Sequence, residues 1–508
     1  MSLSRRSFLA LLAAAGAMAG QGAWAMPKFK GKDRPFSAAW LKGEAARRAK
    51  SAYRPMPQVP QEWRALTYDQ YRAIWFNSQK GLWTGEDRPF QADFFHPGLY
   101  FPRAVEISIV EGGRARTLGF DLGLFDKTDR FPDLPVDDTM GYSGFRLRSE
   151  LRQAGIFEEF AVFQGASYFR AIGTGQNYGL SARGLALNTG EAAGEEFPDF
   201  THFWMEAPAP GDTGMRVHAL LDSPSVTGAY HFEITPGPVT RMRVTATLYP
   251  RVALDHVGIA PLTSMFLFDE TNRNRFDDFR PAVHDSDGLM VWNGAGELLW
   301  RPLANPAQLQ ISSFVDDGPR GFGLMQRTRR AEDFADLEAH YHKRPSLWIT
   351  PGEDWGKGSV TLVEIPSDRE IYDNMVAYWR PREALAPGKP HQMSYEMAWG
   401  GEPPRPRDVA PVINTRMGKG FDGEKNVVTV DFAAHPALAE DLESVNRFVS
   451  VNRGTVSKPI LQRNPGTGGV RLAFSFDPGT ARSVEMRAQL TRGGRSLTEV
   501  WLYRWTAA

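Results

Sequence analysis

Tyr230-His231-Phe232-Glu233-Ile234-Thr235, then Pro236-Gly237-Pro238, then Met242, Val244, Ala246 and Leu248 at every second position, is the stretch that decides the fold class. Apolar and polar residues alternate with a period of two on both sides of a turn that proline and glycine impose. That pattern predicts an antiparallel hairpin with one face buried and one wet. A second hairpin follows the same rule: Val105, Ile107 and Ile109 alternate with polar neighbours, and Gly112-Gly113 turns the chain into Arg116 to Phe120.

Further strands are expected over Gln308 to Phe314, Ser359 to Ile365 and Gln392 to Trp399, whereas convincing helices are scarce and Glu332 to His340 is the best of them. Many short strands, with 49 glycines and 36 prolines as punctuation, predict an all-β protein built on a large sandwich. Gly400 to Asp408 holds Pro403, Pro404 and Pro406 and reads as an extended linker. It divides a sandwich over 61–399 from a smaller one over 409–508. The smaller unit has expected strands at Asn426 to Phe432, Arg447 to Val451, Val470 to Phe476, Ser483 to Leu490 and Leu497 to Trp505, with a turn at Arg492-Gly493-Gly494-Arg495.

At the other end, Ser4-Arg5-Arg6-Ser7-Phe8-Leu9-Ala10 precedes a short apolar run closing on Ala23-Trp24-Ala25. This reads as a twin-arginine export signal over 1–25, cleaved after Ala25, which places the chain in the periplasm. Residues 26–60 are expected to form an arm with one short helix near Ala38 to Ala52, wrapped loosely on the main unit.

Composition excludes several functions. With no cysteine there is no disulfide, no thiolate metal site and no cysteine nucleophile. Without Arg5 and Arg6, the 59 basic side chains fall to 57 against 59 acidic ones, so no field points to nucleic acid or an anionic membrane. Nothing after Ala25 is apolar and long enough to span a bilayer. Gly173-Thr174-Gly175-Gln176-Asn177-Tyr178-Gly179 misses the dinucleotide spacing, and Asp285-Ser286-Asp287-Gly288 puts Leu289 where a calcium loop needs an oxygen. No metal or cofactor is expected.

Two clusters remain. Pro261 to Pro306 concentrates acids, arginines and aromatics, and Pro345 to Val376 adds Trp348, Asp354, Trp355, Lys357, Glu364 and Asp373. The bland alternative is a set of structural ion pairs. The chemical one is glycosidic cleavage, which needs one carboxyl to protonate the leaving oxygen and a second to activate water or attack. Asp373 on its own reads first as a turn residue capping its own backbone, and Glu364 as a strand residue facing either solvent or a cleft.

At these clusters the chain resembles the periplasmic glucan biosynthesis proteins of the G and D type. The resemblance rests on Tyr168-Phe169-Arg170-Ala171, Pro261-Leu262-Thr263-Ser264-Met265-Phe266, Arg280 through Leu289, Gly321 through Gln326, Trp355-Gly356-Lys357-Gly358 and Asp373 through Pro381. It runs from about Thr67 to the C-terminus, and the twin-arginine signal points to the D type. The resemblance implies a galactose-mutarotase-like β-sandwich followed by an immunoglobulin-like one, with β-1,2-linked glucan as ligand. It implies Asp285 and Asp373 as the catalytic pair, in unassigned order, and Tyr168, Arg170, His284, Asp287, Trp355 and Lys357 as sugar-binding residues. A glucan-binding scaffold working with the inner-membrane glucan synthase is the alternative to hydrolysis or transfer. Asp269-Glu270-Thr271 and Arg327-Thr328-Arg329-Arg330 depart from the family pattern, which has Gly-Glu-Asn and an Arg-Asp-Arg-Asp-like stretch there.

Overall fold

A computed structural model describes residues 27–402, 408–421 and 423–507. The export signal and linker residues 403–407 lie outside the described residues. The 230–248 alternation forms the expected hairpin, with Val226–Thr235 against Val239–Pro250 and Phe232 opposite Val244. Phe232 and Val244 are fully buried, so the period-two rule is obeyed in burial as well as in pairing. Gly112 and Gly113, both at positive φ, make the second turn, where any side chain would strain the backbone.

Two sheets carry the main unit. One runs Gln310–Asp317, Lys357–Glu364, Met375–Pro381, Val257–Ser264, Ser181–Arg183, Tyr168–Ala171, Phe157–Gln164, Gly144–Glu150 and Phe90–Phe95. The other begins at Phe29–Pro35, passes through the 226–250 hairpin and continues to Gly288–Trp292 and Leu298–Pro302. Their inner faces meet in an aromatic core: Phe163 packs edge-on to Phe232 at 5.2 Å and Phe145 edge-on to Phe203 at 5.1 Å. Among the described residues no helix is long and apolar enough to cross a membrane.

The last hundred residues form two sheets as well. Val412–Lys419, Asn426–Phe432 and Val470–Asp477 lie in one, and Asn446–Val451, Ser483–Arg492 and Val500–Thr506 in the other. The second continues the large sheet of the main unit, because Leu298–Pro302 pairs in parallel with Val500–Thr506, Leu299 beside Val500 and Trp300 beside Trp501. Met290, Trp300 and Trp348 accordingly share one apolar cluster with Val430, Leu472 and Trp501.

Two expectations are corrected. Glu332 to His340 is not a helix: only Ala331–Asp333 and Tyr341–Lys343 wind, as 3-10 turns. Asp336 takes the backbone N–H groups of Glu338 and Ala339 onto its carboxylate, and Ala335 and His340 adopt left-handed φ, so local side-chain bonding defeats helix propensity. Nor is the arm loose. Phe29–Pro35 extends the large sheet beside Arg114–Leu118, and the helix Ala38–Ala49 buries Leu41 and Ala45 against Trp204, Leu220 and Ala229.

Candidate functional site

The site grows from one irregularity in the central strand Val257–Ser264. After Ser264 the chain steps out at Met265 and re-enters as Phe266–Phe268, which pairs with Val283–His284. The Asp285 N–H then donates to the Met265 carbonyl at 2.8 Å. From the other side, Asn374 N–H donates to the Ser264 carbonyl at 3.0 Å, and its amide brackets the Phe266 backbone, accepting from the N–H and donating to the carbonyl, both at 2.9 Å. Asp285 and Asp373 are thereby fixed on either flank of a three-residue segment, 264–266.

The two carboxylates feel each other and the same cations. Arg344 lies 2.8 Å from Asp285 Oδ1, and Arg170 lies 3.9 Å from Asp373 Oδ2. Burial pushes the Asp285 carboxyl up to about 6 against the pull of Arg344, and the Asp373 charge adds to the rise. Burial also raises Asp373, with Arg170, Arg183 and Arg344 opposing. Asp285 can thus exchange a proton near pH 6, and Asp373 is shifted in the same direction.

Tyr168 and Arg170 flank this pair. On the strand Tyr168–Ala171 they point outward while Phe169 and Ala171 enter the core. Arg170 is anchored on Ser181 Oγ at 2.6 Å, and the Tyr168 ring sits beneath the Arg183 guanidinium at 5.0 Å. The other expected sugar-binding residues stand elsewhere. His284 is buried, stacked on Phe266 at 5.5 Å and edge-on to Phe334 at 5.0 Å, and burial lowers its pKa so that the ring stays neutral. Asp287 faces a cleft of about 650 Å³ between the two units. There its Oδ2 accepts from the N–H groups of Arg327 and Thr328 at 2.8 and 2.9 Å. Trp355 packs with Trp379 and Tyr395, and Lys357 is exposed at the start of its strand. That strand aligns Glu364 with Met375, so Lys357 is seven residues, about 23 Å, from the aspartate end.

Glu364 is a buried partner of Arg301 at 3.0 Å, not a cleft acid. Of the residues that depart from the family pattern, Asp269 accepts from the N–H and hydroxyl of Thr271, Thr328 donates to Asp287 and Arg330 meets Asp333, while their unchanged neighbours Arg327 and Glu270 tie the seam between the two units. Arg327 forks onto Glu499 with two bonds of 2.7 Å and covers the Trp300 ring at 3.5 Å. Glu270 meets Arg416 at 3.0 Å, and burial pushes neighbouring Asp269 up to about 7.

Arg344, Arg183 and Asn374 are site residues that sequence reasoning gave no role. Arg344 closes the basic and aromatic run His340-Tyr341-His342-Lys343-Arg344 just before a strand, the one signal that marked it. The discarded glycine-rich loop matters for the same reason: a Cβ on Gly179 would lie 2.9 Å from Arg344 Cβ and Cδ, so the glycine lets Arg344 pass to Asp285.

Fold and site together define an all-β protein of packed sheets with one buried and one partly exposed aspartate at the strand ends of the smaller sheet. The family model described as "Periplasmic glucan biosynthesis protein, MdoG" matches residues 36–505, and the chain belongs to that family. It is 47% identical over 452 residues to the Glucans biosynthesis protein G of Vibrio cholerae serotype O1 strain O395, covering 88% of this chain and 82% of that one. With its namesake in Shewanella sp. strain ANA-3 it shares 47% over 444 residues, 87% and 81% of the two chains. These relatives bear the G designation, not the D type to which the twin-arginine pattern pointed. Among solved structures, a GH36 α-galactosidase of Geobacillus stearothermophilus in complex with raffinose aligns over 51% of this chain and 39% of that one at 10% identity. Its TM-score is 0.24, and it carries no argument about this chain.

Proposed function

We propose that the chain, exported by the twin-arginine route and cut after Ala25, binds a β-1,2-linked glucan across the outer face of the smaller sheet. There Asp285 and Asp373 hydrolyse the backbone, or transfer it, during periplasmic glucan synthesis. The supporting observation is the convergence of two carboxylates, 88 positions apart in sequence, on the 264–266 segment with their pKa values raised.

Access assigns the roles. The Asp373 side chain is 31% exposed and that of Asp285 6%. A leaving oxygen carries a whole sugar ring and reaches only the more open carboxyl, whereas a water molecule reaches the buried one. Asp373 is therefore the acid that protonates the leaving oxygen. Asp285, ionised above about pH 6 and held by Arg344, is the base that activates water. Tyr168 and Arg170 flank the sugar.

Reducing ends released from linear β-1,2-glucan test this reading. The unmodified chain releases them and Asp373→Asn does not. Binding without cleavage by the unmodified chain would instead support a scaffold that guides the polymer from the inner-membrane synthase, a role in keeping with the biosynthetic names of the relatives.

A further inference from the structure

Beside the aspartate pair one guanidinium ties three loops. Arg280 forks onto Asp278 with bonds of 3.0 and 2.8 Å, donates to Asp336 at 2.9 Å and lies 2.8 Å from Glu370. In each loop the acid is followed by a large apolar residue: Asp278-Phe279, Asp336-Leu337 and Glu370-Ile371, the last continuing through Tyr372 to Asp373. The acids turn inward to Arg280. The residues after them turn outward, with Phe279 79%, Leu337 86%, Ile371 73% and Tyr372 53% exposed.

Four large apolar side chains stand exposed on three loops whose acids meet at Arg280, and that exposure costs solvation free energy unless something covers them. The position of these loops identifies the occupant. Glu370 is close enough to add to the charge felt by Asp285, and it contacts the Arg280 knot from the segment that ends in Asp373. A polymer cut at the aspartates must continue past them. Pyranose rings have apolar C–H faces that pack on aromatic and aliphatic side chains.

Building on the proposed glucan site, we propose that Arg280 positions an apolar rim of Phe279, Leu337, Ile371 and Tyr372 on which the glucan lays successive rings as it leaves the aspartates. Arg280 touches no sugar; it acts by holding the three loops in register. Lysine cannot replace it, because one ammonium lacks the planar fork that meets three carboxylates at once.

Titration calorimetry of the whole chain with linear β-1,2-glucan tests this. Phe279→Ser, Leu337→Ser and Ile371→Ser combined are surface changes that leave the thermal midpoint in place. They weaken binding about tenfold. Arg280→Gln weakens it similarly, Arg280→Lys does not restore it, and adding Arg280→Gln to the triple variant costs no further affinity. Unchanged affinity in the triple variant overturns the rim while leaving the glucan site standing. A further loss when Arg280→Gln is added to the triple variant overturns the positioning role. If the unmodified chain binds no glucan, the rim and the proposed function fall together.

Discussion

Around Asp285 a carboxylate meets a single guanidinium at 2.8 Å, shares a site with a second acid and sits just past the short strand Val283–His284. Two residues on, around Asp287, the carboxylate closes two backbone N–H groups and the Thr328 hydroxyl, next to an Arg327–Glu499 fork whose acid also accepts from Val412 N–H at 2.9 Å. Residue types and spacing are alike in both regions. The difference lies in the kind of partner: at the seam Asp287 Oδ2 gathers two backbone N–H groups and a hydroxyl and Arg327 forks onto Glu499, whereas at the site the two acids face guanidinium groups and are raised by burial. Burial shifts both site acids toward the range in which a carboxyl can exchange protons during a reaction.

The largest expected effect probes the site half of that contrast. Asp373→Asn lowers kcat/KM for glucan cleavage roughly a hundred- to ten-thousandfold with the thermal midpoint unchanged, measured by reducing-end release. On the seam side, Glu499→Gln leaves the buried Arg327 charge short of a partner and costs about 3 kcal/mol, read by urea unfolding. Asp287→Ala orphans two backbone donors and costs about 1–3 kcal/mol in the same assay, with cleavage per folded molecule retained. Loss of cleavage in Asp287→Ala at full stability would erase the contrast.

The smallest effect is a shift. With Asp285 ionised in the proposed mechanism, kcat/KM is expected to fall as pH drops below about 6, tenfold per unit. Arg344 pulls that carboxyl down, so Arg344→Gln moves the acidic limb to higher pH, checked by a pH–rate profile.

What the sequence disclosed follows from how local each signal is. The 230–248 hairpin was readable because alternation and its turn lie within twenty residues, and Arg492 to Arg495 turned as expected for the same reason. The 332–340 helix failed because Asp336 spends its carboxylate on nearby backbone and on Arg280, a partner 56 positions away that periodicity does not register. The proposed aspartate pair came from family resemblance alone, since no spacing rule joins 285 to 373. Their meeting depends on Asn374 bracketing Phe266, a contact across sheet topology. The resemblance named Trp355 and Lys357 as sugar contacts, and strand register sets Lys357 seven residues from the aspartate end, a separation that no motif match registers.

The parallel seam between Leu299 and Val500 has a consequence for how copies of the chain meet one another. A strand margin with bare amides is an invitation to intermolecular β-addition. By joining segments some 200 positions apart, each half caps the other's raw margin, and clipping Val500–Thr506 away would bare Leu298–Pro302 and Ser483–Arg492 together. The last strand thus guards both halves against self-association.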